Sequence, residues 1–169
     1  MSAQSIKADE IIKLLNLLPH SEGGYYNEIY RNSESISKGG LPERYNESRN
    51  ILTSIYFLLK GNDISKFHIL KSDEIWYFHS GSPVIIHKIS LDGKYEKVIA
   101  GLDVLSGEKP QVILNYDTWF GAELLDKESY ALVSCAVAPG FDFKDFKLAD
   151  KIELLSKYPA HSEIINRLT

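Results

Sequence analysis

Short apolar runs separated by turn residues fill the chain between residues 51 and 138. Gly, Pro, Asn or Asp lies between most of the runs, which in order are ILTSIYFLLK, KFHIL, EIWYF, PVIIHKIS, KYEKVIAG, QVILNY, GAELL and YALVSCAVA. Regularly spaced short strands of this kind are typical of an antiparallel sandwich or barrel. A parallel α/β fold would need helical segments between the strands, and this stretch has no helical pattern. The sequence therefore predicts an all-β fold.

Helical patterns occur at the two ends of the chain. Residues 6–18 (IKADEIIKLLNLL) place apolar side chains at helical spacing and are followed by Pro19, which predicts an N-terminal helix. LADKIELLSKY and SEIINRL predict two short C-terminal helices separated at Pro159. Residues 32–50 are rich in Ser, Gly and Asn and predict a long loop, of the kind that serves as a lid or an interface. With no internal repeat or linker, we expect one domain over residues 1–169.

The composition of the chain limits which partners the protein can bind and in which cellular compartment it is expected. The formal charge of -4 is spread over interspersed acids and bases, so we expect no nucleic-acid partner. No stretch approaches about 18 continuous apolar residues, and the N-terminus lacks a charged leader pattern, so neither a membrane span nor a signal peptide is expected. The single Cys135 lies in an apolar run, where it is expected to be a small core residue without a disulfide partner. These features indicate a cytoplasmic protein.

The segment from Gly61 to Gly81, GNDISKFHILKSDEIWYFHSG, holds the most compact set of side chains suited to catalysis. Strand alternation puts Glu74 on the same inward face as two aromatic side chains, and a buried carboxylate costs several kcal/mol unless it is paired. We expect it to pair with His68, and we assign these two residues as catalytic. His79 would face the opposite side of the strand unless a bulge reverses it.

Aromatic and polar residues near this segment are candidates for binding a ligand. Flat rings at the mouth of a barrel form walls against which a small molecule packs. The predicted ligand-binding residues are Trp76, Phe78, His79, Trp119, Phe120, Tyr25 and Arg49. Each has a structural alternative: core packing for the tryptophans, a hydrogen-bonded core role for His68, and packing or a dimer contact for Tyr25, Tyr26 and Tyr30.

The spacing of four residues in this segment resembles the first cupin motif. The match consists of Gly61, His68, Glu74 and Gly81, and the words PHSEGGYY, DEIWYFHSG, GEKPQ and VAPGFDFKDF are similar to the uncharacterised small single-domain cupins called domain of unknown function 985, or the cupin-5 family. The resemblance covers nearly the whole chain. It implies a double-stranded β-helix, the cupin jelly roll, usually as a dimer, with a small-molecule cavity in the barrel mouth.

The resemblance does not extend to the cupin metal site. A cupin metal centre usually has three histidines and one carboxylate, which together hold a divalent ion. Here His68 and Glu74 match, but Leu70 stands at the second histidine and Phe120 at the third, in the second motif at residues 115–120. We therefore expect no metal cofactor, with a weak site through His68, Glu74 and His79 as the alternative.

Three functions from different classes fit these features. The first is a metal-independent epimerase or isomerase acting on a sugar or sugar nucleotide, with His68 as the base, Glu74 as its partner and a tyrosine as the opposite acid. The second is a non-catalytic binding or storage module, and the third is a metal-dependent dioxygenase or isomerase with a reduced site. The sequence has neither GxxxxGK nor GxGxxG, so any nucleotide would be held by single basic residues. We expect a homodimer in which Tyr25–Arg31 pairs across the subunits.

Overall fold

The computed structural model describes the backbone of residues 3–169 and the side chains from Lys7 onward. Met1 and Ser2, on which the leader expectation partly rests, lie outside the described residues. The predicted N-terminal helix is present as α1 (Ala3–Leu14), with its end several residues before Pro19. The C-terminal helices are α2 (Lys151–Lys157) and α3 (Ser162–Arg167).

Thirteen strands are present in the described part of the chain. They are β1 (Leu18–Pro19), β2 (Tyr25–Arg31), β3 (Ser35–Ile36), β4 (Arg49–Asn50), β5 (Thr53–Lys60), β6 (Ile64–Leu70), β7 (Asp73–Gly81), β8 (Val84–Ser90), β9 (Tyr95–Ala100), β10 (Gln111–Leu114), β11 (Thr118–Leu124), β12 (Tyr130–Ala138) and β13 (Phe146–Leu148). Each of the eight apolar runs contributes a strand. The predicted loop over residues 32–50 contains the short strand pair β3 and β4. The strand β13, which pairs with β6, was not predicted from the sequence pattern.

Eleven of these strands form two facing antiparallel sheets, and β3 and β4 form a separate pair. One has the order β1-β2-β5-β12-β7-β10 and the other β13-β6-β11-β8-β9. Large apolar side chains from both sheets, among them Phe57, Trp76, Ile86 and Phe120, form the core between them. The all-β jelly-roll prediction is therefore confirmed.

The helices cover the outer faces of the two sheets. α2 and α3 bury Leu154 and Ile165 against Phe67 and Trp119 of the second sheet. α1 packs beside Leu58 and Tyr130 of the first sheet. With their outer faces covered, strands such as β5 and β6 carry apolar side chains on both faces, as their sequences indicated.

Candidate functional site

A cavity of about 460 Å³ lies within the barrel. Strands β2, β5 and β12 of the first sheet contribute to its wall, together with β6 of the second sheet and the segment of residues 141–146. The residues at its inner end are buried, whereas Glu28, Arg31 and Phe143 at its outer end are exposed. The cavity volume is in the range of roughly 300–1,000 Å³ that is usual for small-molecule sites.

A turn between β1 and β2 brings two polar side chains, His20 and Glu22, into this cavity. The next two residues are glycines in the left-handed region, with φ of +111° at Gly23 and +67° at Gly24. A Cβ atom would lie 2.1 Å from the carbonyl oxygen of Ile64 at the first glycine, and 2.7 Å from a β5 carbonyl oxygen at the second. Since no larger residue fits there, the glycines allow the turn to approach β6 and hold Glu22 at the cavity wall.

Glu22 is the centre of a polar group at the inner end of the cavity. Its Oε1 accepts a hydrogen bond from Ser65 Oγ at 2.8 Å. Its Oε2 lies 3.3 Å from His20 Nδ1 and 3.5 Å from His68 Nε2. Burial opposes the charge of Glu22, but the two imidazoles and the Ser65 hydroxyl outweigh it and hold the pKa of this carboxyl below its ordinary value. Glu22 is therefore an ionised carboxylate at neutral pH.

The hydrogen bonds of the two histidines indicate where protons can reside. His68 Nδ1 lies 2.7 Å from the carbonyl oxygen of Lys66, which can only accept, so this nitrogen carries a proton. The other ring nitrogen, His68 Nε2, faces the Glu22 carboxylate at 3.5 Å. His20 Nδ1 lies 3.3 Å from the amide nitrogen of Glu22 and 3.3 Å from its carboxylate, contacts that suit an unprotonated and a protonated ring respectively. The two imidazoles thus lie on either side of the Glu22 carboxylate.

Glu74 is a second buried carboxyl group in the same cavity. Its Oε1 accepts a hydrogen bond from Trp76 Nε1 at 2.9 Å, and the thiol of Cys135 also hydrogen-bonds it. Burial, followed by the negative charge of Glu22, raises the pKa of Glu74 to about 8. Burial likewise raises the pKa of the Cys135 thiol. At neutral pH Glu74 is therefore a protonated carboxyl group that can donate a hydrogen bond.

The partner of His68 differs from the sequence expectation. We expected Glu74 to pair with His68, but the carboxylate that faces His68 Nε2 is Glu22, and Glu74 instead accepts from Trp76. The strand alternation that suggested the pairing places both side chains on inward faces, yet it cannot specify how close they lie. The residues that sequence reasoning missed are His20 and Glu22. Their signal was the pair of glycines that directly follows them in PHSEGGYY.

Five aromatic side chains surround the cavity between its inner end and its mouth. We call this set, Tyr26, Phe57, Phe141, Phe143 and Phe146, the aromatic collar. Phe141 and Phe143 meet edge to face with ring centroids 5.0 Å apart, and the His20 ring contacts Tyr26 in the same way at 4.6 Å. The collar offers ring faces and edges to a bound molecule and connects the polar inner end with solvent.

Several predicted ligand-binding residues lie in other parts of the fold. Trp76, Phe78 and Phe120 belong to the core between the sheets, Trp119 lies under the C-terminal helices, and Tyr25 packs near α1. None of these five is among the described residues that line the cavity. Trp76 and Phe120 still contact the site indirectly, since the first donates to Glu74 and the second packs its ring 4.1 Å from that of His68.

His79 lies on the outer face of β7. It is exposed, its Nε2 is 2.5 Å from Ser134 Oγ, and its ring contacts that of Tyr56. A register shift between β7 and β12 occurs at this point, between Leu132 and Val133, but it does not turn His79 inward. The strand alternation therefore predicted the correct face of β7 for His79. Because this face points away from Glu74, His79 does not act as a third ligand beside it.

Arg49 forms a buried ion pair instead of lining the cavity. Its Nε and NH2 atoms donate to the two carboxylate oxygens of Asp145, with Nε–Oδ2 and NH2–Oδ1 distances of 2.5 and 2.8 Å. Asp145 directly precedes Phe146 of the aromatic collar. Arg49 thus holds in place the segment that forms one wall of the cavity. It does not itself line the cavity, where it was predicted to contact a ligand.

The donor set at the cupin metal positions does not fit a divalent ion. Leu70 lines the cavity with a carbon side chain, and Phe120 packs against His68 where another ligand would be needed. Among the described residues, no three His, Cys, Asp or Glu side chains are arranged to hold a metal ion. The groups that the site offers for chemistry are therefore the acids and bases of its own side chains.

Comparisons with known proteins agree with this fold. The family model described as "Cupin superfamily (DUF985)" matches residues 9–149. The chain is 31% identical to the uncharacterized protein YML079W of Saccharomyces cerevisiae over 147 residues, which is 80% of this chain and 72% of that protein. This chain therefore belongs to the DUF985 family of the cupin superfamily.

Solved structures extend the comparison. The crystal structure of protein SO0799 from Shewanella oneidensis is 38% identical, with a TM-score of 0.87 and 96% of each chain covered. A hypothetical protein from Leishmania major is 34% identical, with a TM-score of 0.86, covering 96% of this chain and 98% of that one. These relatives share the whole jelly roll, and their names assign no reaction. No helix in the described part of the chain is long and apolar enough to cross a membrane.

Proposed function

We propose that this cupin is a metal-independent isomerase or epimerase that moves a proton next to a carbonyl group of a small molecule. The observation that supports the proposal is the position of two unlike carboxyl groups in one cavity. Glu22 is held as a carboxylate between two imidazoles, and Glu74 is held as an acid by its buried surroundings. Pairs of titratable groups with opposite protonation are the usual basis of acid and base roles.

The proposed step breaks a C–H bond beside the carbonyl and forms an O–H bond. The carboxylate of Glu22, held beside His68 Nε2, accepts the proton from carbon. Glu74 donates its proton to the carbonyl oxygen, so an enol forms without a net change of charge in the ligand. Return of a proton to the other carbon gives an isomer, and return to the opposite face gives an epimer.

Solvent deuterium incorporation tests this proposal. A panel of uncharged aldoses and hydroxyketones is incubated with the protein in D₂O, and deuterium at the carbon next to the carbonyl is followed by NMR. We expect incorporation into at least one member, and we expect Glu74→Gln to reduce its rate by about 10²–10⁴-fold. Binding of panel members without any incorporation would support instead a non-catalytic binding module.

We further propose that the chain is one domain that acts as a homodimer in the cytoplasm. The strand β2 pairs with β5 of its own chain along one edge, and β1 covers its outer edge at Tyr25 and Tyr26. The exposed side chains of Ile29 and Tyr30 follow on that edge, which suits a second copy. Light scattering that shows a monomer at micromolar concentration would contradict the dimer.

A further inference from the structure

We infer that the cavity takes an uncharged carbonyl compound and rejects phosphorylated or carboxylated ones. The inference names the substrate class of the proposed function and rests on that function for the carbonyl group alone. The charge preference rests on the groups that line the cavity, from its inner end to its mouth. It separates a free sugar or cyclic ketone from a sugar nucleotide.

The inner end of the cavity has no uncompensated positive charge to offer an anion. The nearest basic side chains are the imidazoles of His20 and His68, and both already face the carboxylate of Glu22 at 3.3 and 3.5 Å. Glu74 lies 7% exposed beside this group. A carboxylate or phosphate placed here would add a negative charge next to Glu22 in a buried site, where such charges interact strongly.

The mouth adds negative charge. Among the described residues that line the cavity, Arg31 is the one with a permanent positive charge. Its Nε and NH2 atoms donate to both oxygens of Glu28 at 2.8 and 2.7 Å, and its NH1 donates to Asn50 Oδ1 and the Phe141 carbonyl oxygen. Asp142 supplies another carboxylate at the same end of the cavity. An entering anion therefore meets two carboxylates and one guanidinium that is already paired.

The remaining lining suits an uncharged ring. The aromatic collar presents ring surfaces between the mouth and the inner end, and Ile55, Leu70 and Val137 add apolar contacts. Such surfaces pack against the C–H faces of a sugar or an alicyclic ketone. The protonated Glu74 then supplies a donor for one carbonyl oxygen at the inner end. The site thus matches a molecule with one polar reacting end and no charge.

Matched ligand pairs test the inference by binding alone. Dissociation constants are measured by saturation-transfer NMR for D-glucose against D-glucose 6-phosphate, and for cyclohexanone against 4-oxocyclohexanecarboxylate. We expect at least one uncharged member to bind at millimolar concentration, at least about tenfold tighter than its anionic partner. Equal or tighter binding of the anionic members would overturn the inference, and so would the failure of both uncharged members to bind.

A charge variant at the mouth sharpens the test. Asp142→Asn removes one negative charge while it keeps an oxygen to accept from the Lys144 amide, as Asp142 does at 2.9 Å. We expect it to strengthen binding of the anionic members and to leave the uncharged ones unchanged. The control is Glu47→Gln, which removes the same charge at an exposed carboxylate paired with Lys144. An equal effect of both variants would contradict the inference that the charge at the mouth of the cavity disfavours anionic ligands. Because binding is measured without turnover, failed deuterium incorporation would leave this result standing.

Discussion

Two buried histidine–glutamate pairs in this barrel have nearly the same contact distance and different surroundings. In the cavity pair, His68 Nε2 lies 3.5 Å from Glu22 Oε2. In what we call the sealed pair, His87 Nε2 lies 3.3 Å from Glu123 Oε1, on β8 and β11. The first pair lines the cavity, and the second does not. The comparison shows how one residue combination gives a reactive group in one place and a structural contact in another.

The difference lies in what balances the glutamate charge. Glu123 also contacts Lys127 Nζ and an Arg167 NH2 atom, each at 3.1 Å, while His87 Nδ1 lies 2.7 Å from the Tyr95 hydroxyl. Burial opposes the charge of Glu123, but the Lys127 hydrogen bond and the nearby cations lower the pKa of Glu123. Burial also lowers the pKa of His87, which stays neutral.

Among the residues that the structure describes, the cavity pair contacts no such permanent cation. Glu22 is balanced by imidazoles, and histidine is the side chain that exchanges its proton near neutral pH. The sealed pair therefore has its carboxylate held by fixed cations, whereas the carboxylate of the cavity pair has only imidazoles and a hydroxyl beside it and faces the space that a ligand would occupy. This property, rather than the mere presence of a histidine and a glutamate, distinguishes the candidate site.

The largest expected effect separates the two pairs by activity. Glu22→Gln removes the carboxylate that faces His68 and accepts the proton in the proposed step, so deuterium incorporation should fall by about 10²–10⁴-fold. The matched variant Glu123→Gln changes a buried glutamate of the same kind away from the cavity, and its rate should stay within about threefold of the wild type. Comparable losses in both variants would show that the measured activity depends on general packing.

The next effect is a pH dependence of stability caused by Glu74. The folded carboxyl keeps its proton up to about pH 8, whereas the unfolded one loses it near 4.5, so the folded state binds the additional proton between these values. The free energy of unfolding should therefore fall with rising pH in this window, by up to roughly 1.4 kcal/mol per pH unit from this group. Urea titrations should show a flatter curve for Glu74→Gln. Parallel curves for the two proteins would contradict the raised pKa.

Stability should reveal the role of the sealed pair. Glu123→Gln removes the charge that Lys127 and Arg167 share, and we expect a loss of about 1–3 kcal/mol at pH 7. Because the pKa of Glu123 is lowered in the fold, its contribution is present above the unfolded pKa and is lost as pH falls through the folded pKa. The difference from wild type should thus shrink in acid, as followed by thermal unfolding. A difference that persists at low pH would point to lost packing instead.

The smallest effect concerns the rim of the sealed pair. The Arg167 side chain is 46% exposed, so its contact with Glu123 is screened by solvent. Arg167→Gln should lower the free energy of unfolding by less than about 1 kcal/mol, and added salt should reduce that difference. A large and salt-independent loss would indicate that α3 depends on this contact for its packing.

Sequence reasoning recovered the fold because local patterns encode it. The alternation of β7 placed Glu74, Trp76 and Phe78 inward and His79 outward, as the structure has them. Sequence reasoning missed β13, which is three residues long and follows Asp145, because so short a strand shows no detectable alternation. The helix α1 begins and ends earlier than predicted. Leu18, the last residue of the predicted helix, belongs with Pro19 to the strand β1.

The site was harder to predict because it joins distant parts of the chain. His68 and Glu74 were found from a motif in adjacent strands, but Glu22 lies 46 positions before His68 and reaches it through the turn at Gly23. Spacing within a strand cannot report such a contact. Arg49 was assigned to the ligand for its charge, while its bond to Asp145 depends on how residues 141–146 fold back on the barrel.

The most direct test of this account is the protonation of the two cavity carboxyl groups. Infrared difference spectroscopy during a pH titration detects the C=O stretch of a protonated carboxyl group, and Glu74→Gln and Glu22→Gln assign the bands. We predict a protonated band at pH 7 that disappears with a midpoint near 8 and is absent from Glu74→Gln. The protonated band of Glu22 should appear only in acid, because the pKa of this carboxyl lies below its ordinary value. Titration of both groups together in acid, with no protonated band at pH 7, would contradict the proposed division into acid and base.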